Sequence, residues 1–270
     1  MIIDGKALAA DIGIAVAREV ATMADKPHLA VFTCAPNFET QKFLIIKERQ
    51  AAAVGISLTR YELPKTVTLE EVREQVQAAA ATHDGIIIQF PFPHLATADL
   101  IPLIPVSHDI DVLTYTGESP ILPPVVGAID EMATRTGVLF AGKQVVIVGN
   151  GRLVGAPAAL YAKAKGAEVI LITKDTTDLS PLLSADIVIL GAGVPGLLTP
   201  AMVQDGVVIF DAGTSEEGGV LVGDADPEVA TKASLFTPVP GGIGPVTVAI
   251  LLKNVLYLAQ EHRKNHTNVV

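Results

Sequence analysis

Apolar residues gather in short unbroken runs set off by turn residues: LAVFTCA at 29–35, GIIIQF at 85–90, QVVIVGN at 144–150, EVILIT at 168–173, DIVILGA at 186–192 and VVIFDAG at 207–213. Runs apolar on both faces are what a parallel sheet covered by helices requires, so all are read as strands. Between them lie alanine-rich stretches with helical periodicity, TQKFLIIKERQAAAV at 40–54, EEVREQVQAAAA at 70–81 and GAPAALYAKAKG at 155–166. Strands alternating with helices predict βαβ crossovers and an α/β, doubly wound class.

The alternation is interrupted once. From PFPHL at 91 to PP at 124 the chain is proline-rich, and the helix-like VGAIDEMATRTG follows at 126–137. Such a segment usually joins two lobes, which places a boundary near Val126. The tail PVTVAILLKNVLYLAQEHRKN is strongly helical, and a helix after the last strand of the second lobe can return to pack on the first. The expected division is 1–126 together with the C-terminal helix 246–270, and 127–245 as a Rossmann-like nucleotide-binding lobe.

Composition narrows the function. Half of the 270 residues are hydrophobic, which makes a folded core the expectation. A net charge of −10 without clustered lysine and arginine argues against a nucleic-acid surface. The single cysteine, Cys34, excludes an internal disulfide framework and fits a reducing compartment. The opening MIIDGKALAADI is broken by charges and no apolar run reaches bilayer-spanning length, so a cytoplasmic protein without membrane partners is expected. Without a secretory route the triplet Asn265-His266-Thr267 is not read as a glycosylation site. His262 and His266 stand i,i+4 but read as a basic tail; no metal is expected.

The run 145-VVIVGNGRLVGAP-157 is a strand, a glycine-rich turn and a helix start. Gly149 and Gly151, flanking Asn150, leave backbone amides bare enough to approach a pyrophosphate at the helix N-terminus, and Gly155 lets the helix close on the sheet. The G-x-G-x-x-x-G spacing is one residue longer than the usual dinucleotide fingerprint. The next strand ends in Lys174-Asp175. A cation there suits the 2′-phosphate of NADP and an acid the 2′-hydroxyl of NAD. With Arg152 as a further cation in the loop, the expectation leans to NADP, and NAD stays open.

Four segments, IIDGKALA at the start, DGIIIQFPFP, VGNGRLVGAP and TPVPGGIGPVTVAILLKN, together resemble the bifunctional methylenetetrahydrofolate dehydrogenase/methenyltetrahydrofolate cyclohydrolases of the FolD type. The register of ADIVILGAGVPG, VVIFDAGT and LVGDAD also fits, so the resemblance spans essentially the whole chain. It implies an N-terminal α/β folate lobe completed by the C-terminal helix, a nucleotide lobe, a homodimer, and tetrahydrofolate derivatives as substrates. It also implies two reactions, oxidation of 5,10-methylenetetrahydrofolate and hydrolysis of the methenyl product to 10-formyltetrahydrofolate. By the same resemblance Pro240, Gly241 and Gly242 lie against the flat aminobenzoyl part of the folate. Bareness there admits the ligand, and the prolines hold the loop's shape.

The resemblance also places the family's Tyr-x-x-x-Lys motif on 37-NFETQKFLIIKERQAAAVGI-56, with Lys47 on the lysine and Phe43 on the tyrosine. Positions i and i+4 share one helix face. Gln89 is expected to orient the Lys47 amine, Asp111 to hydrogen-bond the pterin, and Asp109 to cap the local turn. Phe43 keeps a stacking surface but lacks the hydroxyl. His108 and Val112 also depart from the pattern, as does 122-LPPVVG-127. The expectation is therefore dehydrogenase activity with cyclohydrolase activity weakened. A dehydrogenase-only variant and a non-catalytic folate- or nucleotide-binding paralogue are the alternatives.

Overall fold

The computed structural model describes residues 1–267, apart from the side chains of Phe38, Glu39, His266 and Thr267. The chain forms two compact units, one of Ala10–Thr114 with the chain from Val248 on, the other of Met1–Ala9 with Tyr115–Thr247. Two helices, α1 (Gly5–Thr22) and α7 (Ile243–Thr267), each run from one unit into the other. No helical periodicity was expected over α1.

The first unit contains β1 (His28–Cys34), α2 (Phe38–Ala53), β2 (Ser57–Leu63), α3 (Leu69–Ala80), β3 (Gly85–Gln89) and the short α4 (Thr97–Leu100). Its three strands are parallel in the order β2-β1-β3. Central β1 is buried along all but its first residue, as its unbroken apolar run requires. Strand β2 was not expected from the apolar runs, because it lies at an edge and alternates: Arg60 pairs with Glu62 and donates to Gln41 Oε1 at 2.6 Å. Helix α3 starts where a capping box sets it, Thr68 accepting from Glu71 N–H while the Glu71 carboxylate accepts from Thr68 N–H.

Helix α7 is long and apolar enough, by length and composition, to cross a bilayer, which corrects the expectation that no such segment exists. Its apolar side chains are instead largely buried in protein, Val255 and Ala259 completely. In the first unit Asn254 Nδ2 donates to Ile110 O at 2.9 Å and Arg263 Nη1 to Asp84 Oδ1 at 2.8 Å, so the helix is tied by polar bonds as well as packing. The C-terminal helix thus joins the N-terminal α/β unit.

The second unit contains α5 (Pro124–Thr136), β4 (Gln144–Val148), α6 (Gly155–Ala164), β5 (Glu168–Ile172), β6 (Ile187–Leu190), β7 (Val208–Asp211), the hairpin β8 (Ser215–Glu217) and β9 (Val220–Val222), and β10 (Leu235–Thr237). The five long-sheet strands are parallel in the order β10-β7-β6-β4-β5. From β4 the chain moves outward to β5 and then returns to β6 on the other side. That reversal is the topological switch point where α/β sheets bind ligands beyond the strands' carboxyl ends. Beyond α6 the crossovers carry only 3₁₀ turns, Ser180–Ser184, Pro200–Met202 and Pro227–Thr231, in place of full helices. At the opposite edge residue 2 bridges Phe236 in parallel, and Ile3 N–H donates to Phe236 O at 2.9 Å.

Candidate active site

In the first unit the carboxyl end of β3 meets α2. Lys47 Nζ donates to Gln89 Oε1 at 2.7 Å, and both side chains are half-buried. Burial holds the Lys47 amine below the usual lysine range, and the charge of Asp111 pulls the other way. Asp111 mirrors this: burial pushes its carboxyl up and Lys47 draws it down. The structure therefore brings Lys47, Gln89 and Asp111 into one electrostatic group. Phe43 lies one turn before Lys47 on α2 and is 57% exposed.

The segment that carries Asp111 is held by its neighbour. Asp109 Oδ2 accepts from Leu113 N–H at 2.8 Å, which makes the cap expected from the sequence, while its other oxygen is buried with no hydrogen-bond partner among the described residues. Val112, in place of the glycine the resemblance expects, takes the left-handed conformation with φ of +51°, which is strained for a β-branched residue. Burial first, then the charge of Asp111, pushes the Asp109 carboxyl up to about 6 from an ordinary value of 3.8.

A pH dependence follows. The folded value lies above the unfolded one, so this group's contribution to stability is fully present below about pH 3.8 and is lost as pH rises through about 6. Asp109→Asn removes that loss. Its melting temperature relative to the unmodified protein should climb between pH 4 and 7, by the equivalent of about 2–3 kcal/mol. A difference that stays flat across that range in thermal melts would contradict the assignment.

In the second unit the glycine turn after β4 borders a cavity of about 660 Å³ lined by Gly149, Asn150, Gly151, Lys174, Asp175 and Thr176 among others. Gly149 has φ of +99°, and a Cβ there would come within 2.5 Å of Gly191 O. A Cβ on Gly155 would lie 1.9 Å from Gly149 O, so α6 closes on the turn only without a side chain. Gly151 is different: a Cβ there would meet nothing closer than Gly191 O at 3.9 Å, so its bareness serves the open side. Arg152 is exposed on the same turn and does not line the cavity.

The proline-glycine loop is also in this unit. The Val239–Pro240 peptide is cis, Gly241 has φ of +103°, and Gly242 N–H donates to Pro238 O at 2.7 Å. Gly242 is bare for packing, since a Cβ would come 2.6 Å from Pro238 O. Gly5 in the opening segment serves the same loop: its N–H donates to Gly241 O at 2.8 Å, and a Cβ would come 1.8 Å from Gly242 O. Two of the four segments that carried the resemblance are thus in contact. Gly5 was not singled out from the sequence, because a glycine near a helix start has many uses.

His262 is engaged structurally: it lies 3.6 Å from Asp84 Oδ1, and its ring is 4.6 Å from that of His108. The side chain of His266 and the end of the 246–270 segment lie outside the described residues. Among the described residues no group of three or more His, Cys, Asp or Glu is placed to hold a metal ion. Cys34 is buried, and its thiol donates to Pro64 O at 3.4 Å.

Residues 3–111 match the family model for the tetrahydrofolate dehydrogenase/cyclohydrolase catalytic domain, and residues 123–263 that for the NAD(P)-binding domain of the same family. The bifunctional protein FolD of Sulfurihydrogenibium sp. is 35% identical over 95% of this chain and 96% of its own. The crystal structure of the bifunctional FolD methylenetetrahydrofolate dehydrogenase/cyclohydrolase from Campylobacter jejuni superposes with a TM-score of 0.93 at 31% identity, covering 97% of this chain and 99% of that one. That of Trypanosoma brucei FolD, complexed with NADP cofactor and inhibitor, gives 0.89 at 31% identity over 97% and 98%. With two units of the same α/β design and matches along nearly its whole length, this chain belongs to the tetrahydrofolate dehydrogenase/cyclohydrolase family.

Proposed function

We propose that the chain oxidises 5,10-methylenetetrahydrofolate with NADP⁺ and hydrolyses the 5,10-methenyl product to 10-formyltetrahydrofolate. The observation that carries this reading is the Lys47 amine, depressed by burial and held by Gln89 at 2.7 Å within reach of the Asp111 charge. A lysine whose basicity is lowered by burial can take a proton from water as that water adds to the methenyl carbon, and return it as the ring C–N bond opens. Gln89 fixes the amine's direction, and Asp111 supplies the acceptor for the pterin's amide and amino donors. In this reading Phe43 offers a stacking face, and Pro240, Gly241 and Gly242 offer bare backbone to the flat aminobenzoyl part.

Bound NADP⁺ supplies the hydride acceptor for the first step. Its fit rests on the glycine turn: Gly149 and Gly155 admit no Cβ, and Gly149, Asn150 and Gly151 face the cavity with Lys174. Amides at such a turn bind a pyrophosphate, and Lys174 is the cation for a 2′-phosphate. Arg152, outside the cavity lining, contributes charge from the exposed side of the turn. The unit of Ala10–Thr114 is assigned the folate chemistry and that of Tyr115–Thr247 the nucleotide. Dimer formation follows the resemblance, and a cytoplasmic setting follows the single cysteine. Sedimentation at micromolar concentration tests the first; a monomer there would refute it.

The test follows both steps separately. Purified protein with 5,10-methylenetetrahydrofolate should reduce NADP⁺ faster than NAD⁺, and with 5,10-methenyltetrahydrofolate alone should speed loss of methenyl absorbance. Silence in both assays would reject the reading in favour of a binding paralogue, against which a half-buried lysine in a built polar group already counts.

Phe43 favours a second reading, a dehydrogenase with weak hydrolysis. Phe43→Tyr restores a hydroxyl one turn from Lys47, and one hydrogen bond of about 1 kcal/mol corresponds to roughly fivefold faster hydrolysis. The rate of methenyl loss at saturation reads this directly. An unchanged rate would show that the hydroxyl has no part in this enzyme.

A further inference from the structure

Two buried acids of the second unit take no part in the chemistry above. Asp224 is 0% exposed and Asp211, the last residue of β7, is 1% exposed. Asp224 Oδ2 accepts the N–H groups of Ala192 at 2.7 Å and Gly193 at 3.1 Å, and its Oδ1 accepts that of Val194 at 2.8 Å. Asp211 in turn accepts from Gly213 and Asp224 N–H on Oδ1 and from Ala225 N–H on Oδ2, at 2.9, 3.3 and 2.9 Å. Its own N–H donates to Thr237 Oγ1 at 2.7 Å. Both carboxylates sit against bare backbone: a Cβ on Gly213 would come 2.1 Å from Asp224 Cγ, and one on Gly223 2.2 Å from Asp211 Oδ2.

What Asp224 holds is a wall of the nucleotide cavity. Gly191, Ala192 and Val194 line that cavity, and Gly191 also lies beneath the glycine turn, its carbonyl 2.5 Å from where a Gly149 Cβ would stand. β6 ends at Leu190 and, among the described residues, no strand pairs with 192–194, so without an acceptor these amides would be stranded at the carboxyl ends of the strands. Burying a carboxylate costs stability, and burial pushes Asp211 up to about 6. The cost is met by a geometry that only an acceptor with two oxygens can complete.

We propose that Asp224 is a positioning residue for nucleotide binding: its carboxylate fixes residues 192–194 as a wall of the cavity, and Asp211 seats the backbone that carries Asp224. This rests on the nucleotide being NADP(H), as proposed above. Asparagine at 224 would keep one acceptor oxygen and turn an NH₂ group towards amide donors, so the wall could not stay closed.

The experiment is calorimetric titration of NADPH into the full-length protein with no folate and no turnover. Asp224→Asn is expected to weaken NADPH binding about tenfold, equivalent to about 1.4 kcal/mol. Asp186→Asn serves as the structural control, because Asp186 accepts Gln144 N–H at 2.9 Å at the amino ends of the strands, away from the cavity. It should lower the melting temperature and leave the affinity unchanged. Ser215→Ala removes the exposed hydroxyl that donates to Gly193 O at 3.1 Å and should weaken binding by about two- to threefold. A folded Asp224→Asn protein with unchanged affinity overturns the proposal, as does equal weakening by Asp186→Asn. If Asp224→Asn does not fold, Ser215→Ala decides: unchanged affinity overturns the proposal, weakening upholds it. Failure of the unmodified protein to bind NADPH would instead reject the nucleotide assignment itself.

Discussion

Lys47→Met should lower the rate of methenyl hydrolysis by about a hundredfold to ten-thousandfold, the range that a positioned proton-transfer group contributes. Methionine keeps the length of the stem and its packing on α2 while deleting the amine that donates to Gln89. The reaction needs a group that can hold a proton at one moment and release it at the next. An ordinary lysine is too basic for that, and burial moves Lys47 the right way. The pH profile separates a base from a mere charge. Hydrolysis by the unmodified enzyme should rise with pH as the amine loses its proton, along a limb below the ordinary lysine value of 10.5. That limb should vanish in Lys47→Met.

Oxidation should suffer less, because hydride transfer depends mainly on holding two bound rings in position. We expect the dehydrogenase rate of Lys47→Met to fall by no more than about tenfold. Should both rates drop equally with a raised KM for folate, Lys47 would be a binding residue. Should hydrolysis persist within a few-fold, the proton group would lie elsewhere.

The second large effect belongs to the glycine turn, where two alanine substitutions should part company. Gly155→Ala forces a Cβ to 1.9 Å from Gly149 O and 2.7 Å from Gly149 C, both backbone atoms that cannot swing away. Either α6 lifts off the sheet or the turn opens. Overpacking of this kind costs about 1–3 kcal/mol of stability. NADP binding should fall by about a hundredfold, since a turn displaced by an ångström no longer presents its amides. Gly151→Ala should leave the melting temperature nearly unchanged, because the added methyl meets no atom closer than 3.9 Å. It should still weaken binding, since that methyl projects into the space Gly151 lines. Equal losses of stability in the two variants would show that bareness at 151 is structural as well.

The residue pattern alone carried the strands with unbroken apolar runs, the helices with clear periodicity and the glycine turn. These are local properties: a buried parallel strand needs apolar side chains on both faces, and a turn that meets an anion needs glycine. It failed at β2, whose alternating Arg60 and Glu62 belong to an edge strand, and at the three-residue β10, too short to carry a pattern. At α7 the helix and its return to the N-terminal unit were read from the sequence, but a helix of membrane-like hydropathy is distinguished from a membrane span only by what covers it.

The candidate site divides in the same way. Lys47, Gln89 and Asp111 were expected through the resemblance, and a lowered basicity of the lysine was expected beside a bound cation, but its cause in the folded chain was not. The lowering depends on burial, against which the charge of Asp111, far along the chain, pulls the other way. Gly5, Asp211 and Asp224 escaped notice altogether. The one available signal was an acid in each of two otherwise apolar segments, VVIFDAG and LVGDAD, since a buried acid must find partners. Which amides those partners are, and that they wall the nucleotide cavity, was decided by tertiary structure alone. Residues 192–194, 211–213 and 223–225 meet only where the parallel strands bring their carboxyl ends together.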